Sequence, residues 1–177
     1  MNIQDIRDRM PDYAKDTKLN LGKYLTGDDV EGLNVNQAYG IALASAYATK
    51  HADIIEAVKG QVLDTLSDEE IEAAKAAATI MGMNNVYYRF VHLVSDKDYS
   101  TMPAGLRMNI IGKPGIDKVD FELMSLAVSA INGCGMCIDA HVHEVIKGGA
   151  SKQGVQSTIR IAAILSAAAQ ALIIEQQ

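Results

Sequence analysis

Tryptophan is absent from this 177-residue chain, phenylalanine occurs twice, cysteine twice and proline three times. Two cysteines are too few for the several bridges that staple a small secreted scaffold. At this length none is required, since one domain buries roughly two-thirds of the surface its unfolded chain exposes. Cations are also short: 16 Lys and Arg stand scattered against 22 Asp and Glu, a formal net charge of −6. Phosphate contacts need clustered Lys and Arg, so the balance argues against a nucleic-acid partner. The first residues, MNIQDIRDRMPDYAKD, are charged from the outset and lack the apolar core of a secretory signal. No apolar run is expected to span a membrane, because Lys, Gln or Arg cut even the Ala-rich segments. The expected address is the cytoplasm, where two cysteines this close are more often catalytic or metal-binding than structural.

What is abundant is helix former: Ala, Leu, Met, Glu, Lys and Gln dominate, and no segment reads as a strand. The chain is expected to be all-α and a single domain over 1–177. Helices are predicted near 3–9, 13–25, 35–49, 51–65, 67–93, 118–132, 135–147 and 151–175, with "TGDD", "SDEE" and "GKPGID" as connections. Ser67 followed by Glu70 reads as a capping box, in which hydroxyl and carboxylate each satisfy a backbone N–H of the other residue. Residues 35–80 also align without a gap on 119–164. Val35 and Val119, Ser45 and Ser129, Ile54 and Ile138, and Ser67 and Ser151 are among the identities. Such self-similarity predicts an internal duplication of a helical unit. In that alignment Lys50 and Asp53 stand opposite Cys134 and Cys137, so only the second copy carries chemistry.

The chemistry-bearing stretch is INGCGMCIDAHVHE, residues 131–144. Asn132-Gly133 is a helix-stop pair, because Gly adopts the left-handed conformation that a helix C-terminus favours. A new helix starting near Cys134 would hold both thiols in its first turn, where unpaired N–H groups favour a thiolate. At 100° per residue, Cys134, Cys137 and His141 share one face, with Glu144 near it and His143 turned away. Three options open. A structural zinc site lacks a fourth ligand unless Glu122 supplies one. A structural disulfide over so short a loop constrains little of the unfolded chain. A dithiol that cycles, one sulfur attacking and the other resolving, fits best. His141 reads either as an ordinary helix imidazole or as a proton carrier for the thiols. Glu122, on the otherwise apolar helix KVDFELMSLAVSAIN, reads either as a first-turn charge or as a buried acid that must be paired or protonated. His92 and His143 read as ordinary surface residues.

The stretch from Phe121 through Cys134 and Cys137 to His141 resembles the Glu…Cys-x-x-Cys-x-x-x-His signature of the AhpD family of alkyl hydroperoxide reductases, within the carboxymuconolactone decarboxylase-like superfamily. "IMGMNNVYYRF" at 80–90, "GLRMNIIGKPGI" at 105–116 and "YAKDTKLNL" at 13–21 carry the resemblance over nearly the whole chain. It implies an AhpD-like all-helical fold, a homotrimer, no bound cofactor or metal, and a cytoplasmic antioxidant enzyme. It implies that dihydrolipoyl groups of a dihydrolipoamide acyltransferase donate electrons, which pass to the peroxiredoxin AhpC or to alkyl hydroperoxides. By residue, it implies that Cys137 becomes a sulfenic acid and forms the mixed disulfide with AhpC. Cys134 is implied as proton donor and resolving partner in a Cys134–Cys137 redox disulfide, and Glu122 and His141 as the relay that activates the thiolate. One departure is Met136, where the family often carries a His; thiol exchange needs no proton from that place. The alternatives are a decarboxylase acting on a lactone acid and a silent oligomeric scaffold.

Overall fold

Side-chain caps start most of the helices. Asn2, Asn34, Ser67, Asp117 and Ser151 each accept a backbone N–H of the following first turn, filling donors that a helix start otherwise leaves unpaired. The expected box at Ser67 forms, with Ser67 Oγ accepting from Glu70 N–H at 3.2 Å and Glu70 Oε2 accepting from Ser67 N–H at 2.8 Å. The computed structural model describes residues 1–26 and 29–176. Its helices are α1 (Ile3–Asp8), α2 (Lys15–Leu25), α3 (Val35–Thr49), α4 (Ala52–Val62), α5 (Asp68–Leu93), α6 (Asn109–Gly112), α7 (Lys118–Ile131), α8 (Gly135–Lys147) and α9 (Lys152–Ile174). Among the described residues there is no strand, only an isolated bridge between Val30 and Leu33. The chain is all-α, as its composition predicts. Gly27 and Asp28, in the expected TGDD connection, lie outside the described residues. The turn of helix at α6 is an addition to the expectation, too short to leave a periodic signal.

The centre of the molecule is α7. Every residue from Phe121 to Ser129 is buried, and the helix packs against α3, α5, α8 and α9. A helix surrounded on all sides must be apolar nearly all round, which is how its sequence reads. The last helix corrects one expectation: α9 is long and apolar enough by composition to cross a membrane, with a mean hydropathy of 1.7 over its most apolar window. Half of that window is buried inside the fold, against α2, α3 and α7. Its isolated polar residues do not offset the aliphatic ones in the mean.

Helix starts match the gapless shift of 84 at one pair of helices and differ from it by one residue at two others. Lys50 and Gly133 are left-handed residues, with φ of 60° and 68°, and His51 and Cys134 are the N-caps that follow. α3 and α4 begin 83 residues before α7 and α8, whereas α5 begins 84 before α9. Under the expected duplication these markers would set His51 and Ile54, rather than Lys50 and Asp53, opposite Cys134 and Cys137, with Tyr39 opposite Glu122 and Val58 opposite His141. A constant shift counts identities, but helix starts follow caps and left-handed residues. Asp53 has a separate surface role, pairing with Arg9 at 2.7 Å.

One close backbone approach seats the segment before α3 on the start of α9. Gly32 is left-handed, with φ of 78°, and a Cβ on either Gly32 or Gly154 would collide with the other's backbone. Ser157 Oγ donates to Glu31 O at 2.8 Å beside it. Gly154→Ala is therefore expected to destabilise by about 2 kcal/mol, as overpacking against backbone does, lowering Tm by roughly 2–4 °C for each kcal/mol. Thermal unfolding measures this, and an unchanged Tm would mean that the segment yields freely.

Candidate functional site

The turn joining α7 to α8 is closed by backbone hydrogen bonds. Cys134 N–H donates to Ser129 O at 3.1 Å and Gly133 N–H to Ala130 O at 3.2 Å, a Schellman closure around the left-handed Gly133. Helix α5 grips the same turn from the side. Asn85 Nδ2 donates to Ser129 Oγ at 2.9 Å, Asn132 Nδ2 donates to Asn85 Oδ1 at 3.0 Å, and Arg89 Nη1 donates to Asn132 O at 2.5 Å. The chain thus stops at Asn132-Gly133 as the sequence predicts, and α8 begins with Cys134 as its N-cap.

Cys134 and Cys137 are joined in a disulfide, with an S–S distance of 2.07 Å and Cα atoms 5.3 Å apart. Cys134 Sγ accepts the N–H of Cys137 at 3.3 Å, so that sulfur sits against an otherwise unpaired donor at the positive end of the helix. Cys134 is fully buried, whereas Cys137 is 7% exposed and opens onto a cavity. One turn further along α8, His141 Nδ1 lies 2.6 Å from Glu122 Oε2 on α7. The two residues are 8% and 4% exposed. Glu122 is therefore the buried, paired acid of the two sequence readings, not a solvated first-turn charge. A carboxylate so enclosed needs a charged or hydrogen-bonding partner, and the imidazole supplies one. On the other side of the ring, His141 Nε2 lies 3.2 Å from Met81 Sδ.

The four residues selected from the sequence, Cys134, Cys137, Glu122 and His141, thus cluster at one place. Glu144 turns outward to Lys118 at 3.3 Å, and the hydrogen bond and charge of that ammonium hold its carboxyl below the usual carboxylate range. His92 and His143 are exposed. Among the described residues no group of three His, Cys, Asp or Glu side chains gathers as a metal site, and Glu122, the fourth zinc ligand that the sequence allowed, is engaged by His141.

The cavity beside Cys137 holds about 290 Å³. Its walls are apolar: Met81 and Tyr88 from α5, Met108 and Ile111 from the segment around α6, and Met136 and Ala140 from α8. Asn84, the Tyr88 hydroxyl, Cys137 and His141 supply its polar points. Sequence reasoning missed the wall from α5, although Met81, Asn84 and Tyr88 recur at helical spacing along one face and fall inside the quoted stretch at 80–90.

An all-helical fold with a Cys-x-x-Cys disulfide at a helix start, a buried carboxylate–imidazole pair beside it and an apolar cavity in front defines a helical protein equipped for thiol–disulfide exchange. The model of the carboxymuconolactone decarboxylase family matches residues 97–174. The alkyl hydroperoxide reductase AhpD of Coxiella burnetii is 55% identical over 175 residues, 99% of each chain. Proteins of the same name from Brucella canis and Brucella suis are 52% identical over 172 residues, 97% of each chain. The chain belongs to the AhpD family.

The pairing of Glu122 with His141 is measurable as stability. Glu122→Leu or His141→Leu alone strands a buried polar partner and is expected to cost about 1–3 kcal/mol. The double change removes both ends and should cost at least about 1 kcal/mol less than the sum of the singles. Denaturant unfolding gives the three values, and strict additivity would mean that the 2.6 Å contact carries no coupling.

Proposed function

We propose that this protein is a thiol-dependent antioxidant enzyme that reduces alkyl hydroperoxides and relays electrons from dihydrolipoyl groups to the peroxiredoxin AhpC through Cys134 and Cys137. The observation that carries the reading is the disulfide at the start of α8, open on its Cys137 side to an apolar cavity. The names of the relatives support the same activity. A lactone decarboxylase or a silent scaffold has no use for such a dithiol.

In the reductive half, a dihydrolipoyl thiolate attacks Cys137 Sγ, the sulfur that reaches the cavity. Cys134 leaves as a thiolate, favoured by the Cys137 N–H at 3.3 Å and the helix N-terminus. The second lipoyl thiolate then attacks the mixed disulfide, forming cyclic lipoyl disulfide and freeing Cys137. In the oxidative half, the Cys137 thiolate attacks the terminal peroxide oxygen. An S–O bond forms, the O–O bond breaks, and the alkoxide leaves as alcohol after taking a proton. Cys134 then attacks the sulfenic sulfur, restoring the disulfide and releasing water. When the acceptor is the disulfide of AhpC, the same Cys137 thiolate forms the mixed disulfide and Cys134 resolves it. Glu122 accepts Nδ1–H of His141, which leaves Nε2 to take the proton of Cys137 and return it to the leaving oxygen. Cys134 supplies a second proton when its thiol becomes a thiolate.

The reading includes a cytoplasmic site of action, no resident cofactor or metal, and the lipoyl domain of a dihydrolipoamide acyltransferase as donor. The repeated order of capped helices supports an internal duplication of the helical unit. A homotrimer fits the exposed Val86, Phe90 and Leu93, which line one face of α5 at spacings of four and three residues.

The test mixes the protein with a reduced lipoyl domain and oxidised AhpC and follows AhpC thiols. Transfer is expected with the wild type and none with Cys137→Ser. Glu122→Gln or His141→Gln should each slow peroxide reduction, by up to the order of 10²–10⁴ typical of a general base. The double variant should lose far less than the two losses combined. Absence of transfer and of peroxide reduction in the wild type would end this reading.

A further inference from the structure

The wall of the cavity in front of Cys137 includes a residue with a polar atom that nothing in the fold uses. Asn84 is 4% exposed, and its Oδ1 is buried without a hydrogen-bond partner. Its neighbour on α5, Asn85, has the opposite fate, with its amide donating to Ser129 Oγ and accepting from Asn132 Nδ2. Fully buried acceptors without partners are few in native proteins because each forfeits its hydration. Asn84 lines the same cavity as Cys137 and His141. It lies one helical turn from Met81, whose Sδ touches His141 Nε2. Asn84 therefore stands in the wall of the space onto which Cys137 and His141 both open, and the other walls there are largely apolar.

We infer that Asn84 is a substrate-binding residue, whose side-chain oxygen accepts the O–H of the incoming hydroperoxide and aims its terminal oxygen at Cys137. A hydroperoxide suits that acceptor because it carries a single O–H donor on an apolar body, matching one unpaired acceptor in the wall of a largely apolar cavity. In the step so aligned, the S–O bond to Cys137 forms as the O–O bond breaks. Sulfur gives up two electrons and the peroxide gains them. The terminal oxygen keeps its hydrogen as the sulfenic acid, and the departing alkoxide takes a proton from His141 Nε2. The assignment rests on the peroxidase reading above and adds a residue that neither the Cys-x-x-Cys spacing nor the Glu122–His141 pair contains.

The experiment follows single-turnover oxidation of the fully reduced protein by tert-butyl hydroperoxide, alongside reduction of the disulfide by dithiothreitol. Asn84→Leu, close in size but without an acceptor, should lower the peroxide rate constant by about tenfold or more, the order expected for losing one hydrogen bond in the transition state. It should leave dithiothreitol reduction within about twofold and Tm equal or raised, since an unpaired buried acceptor has been removed. Asn84→Thr and Asn84→Val form a second, isosteric pair that differs in one hydroxyl, and Thr should oxidise several times faster. A peroxide rate unchanged in Asn84→Leu, or equal rates for Thr and Val, overturns the assignment while leaving the peroxidase reading intact. A lowered Tm with both half-reactions slowed makes Asn84 structural and also overturns it. A wild type inert to hydroperoxide overturns the reading itself and this residue's role with it.

Discussion

The break between α7 and α8 fixes where Cys134, Cys137 and His141 stand relative to Glu122. Gly133 takes the left-handed conformation, the Schellman bonds close behind it, and α8 restarts with Cys134 as its cap. That reversal lays α8 against α7, so His141 meets Glu122 across the two helices. It also puts one sulfur on the helix N-terminus and the other at the cavity. Asn85 and Arg89 hold the turn from α5, so the same long helix that supplies the cavity wall also sets the geometry of the disulfide. A substituted residue at Gly133 would carry the cost of a left-handed backbone into the one turn that aligns sulfur, imidazole and carboxylate.

The buried pair and the N-cap sulfur divide the electrostatic work. Burial of Glu122 on a helix that is otherwise apolar is costly without a partner, and His141 relieves that cost through one short contact. Fixing Nδ1 in this way leaves Nε2 on the cavity side, against the soft thioether of Met81. Cys134 Sγ meets instead the Cys137 N–H at the positive end of α8. Two sulfurs three residues apart thereby acquire different environments, which is the requirement for one to react while the other leaves or resolves.

Much of this was legible in the sequence, for identifiable reasons. The eight expected helical segments were readable because Pro, Gly and capping residues punctuate them, and the Ser67–Glu70 box and the stop at Asn132-Gly133 have side-chain signatures of their own. The thiol–imidazole face of α8 follows from helical periodicity alone. Glu122 was ambiguous because position in a first turn and burial are different facts, and only packing against α8 separates them. Met81, Asn84 and Tyr88 were missed because an apolar helix with two adjacent asparagines reads as ordinary core; which asparagine is satisfied depends on what stands opposite it. Under the expected duplication, the gapless alignment agrees with the starts of α5 and α9 and differs by one residue from those of the two helix pairs before them, because identities do not report where helices begin.

The central claim is that the cavity-side sulfur takes the oxygen of the peroxide while the capped sulfur resolves it. Cys134→Ser and Cys137→Ser variants, reduced and treated with one equivalent of alkyl hydroperoxide in the presence of dimedone, test it by peptide mass spectrometry. The account predicts a sulfenic-acid adduct on Cys137 in Cys134→Ser and little or none on Cys134 in Cys137→Ser. An adduct forming faster on Cys134, or none on Cys137 despite intact helicity, would contradict it.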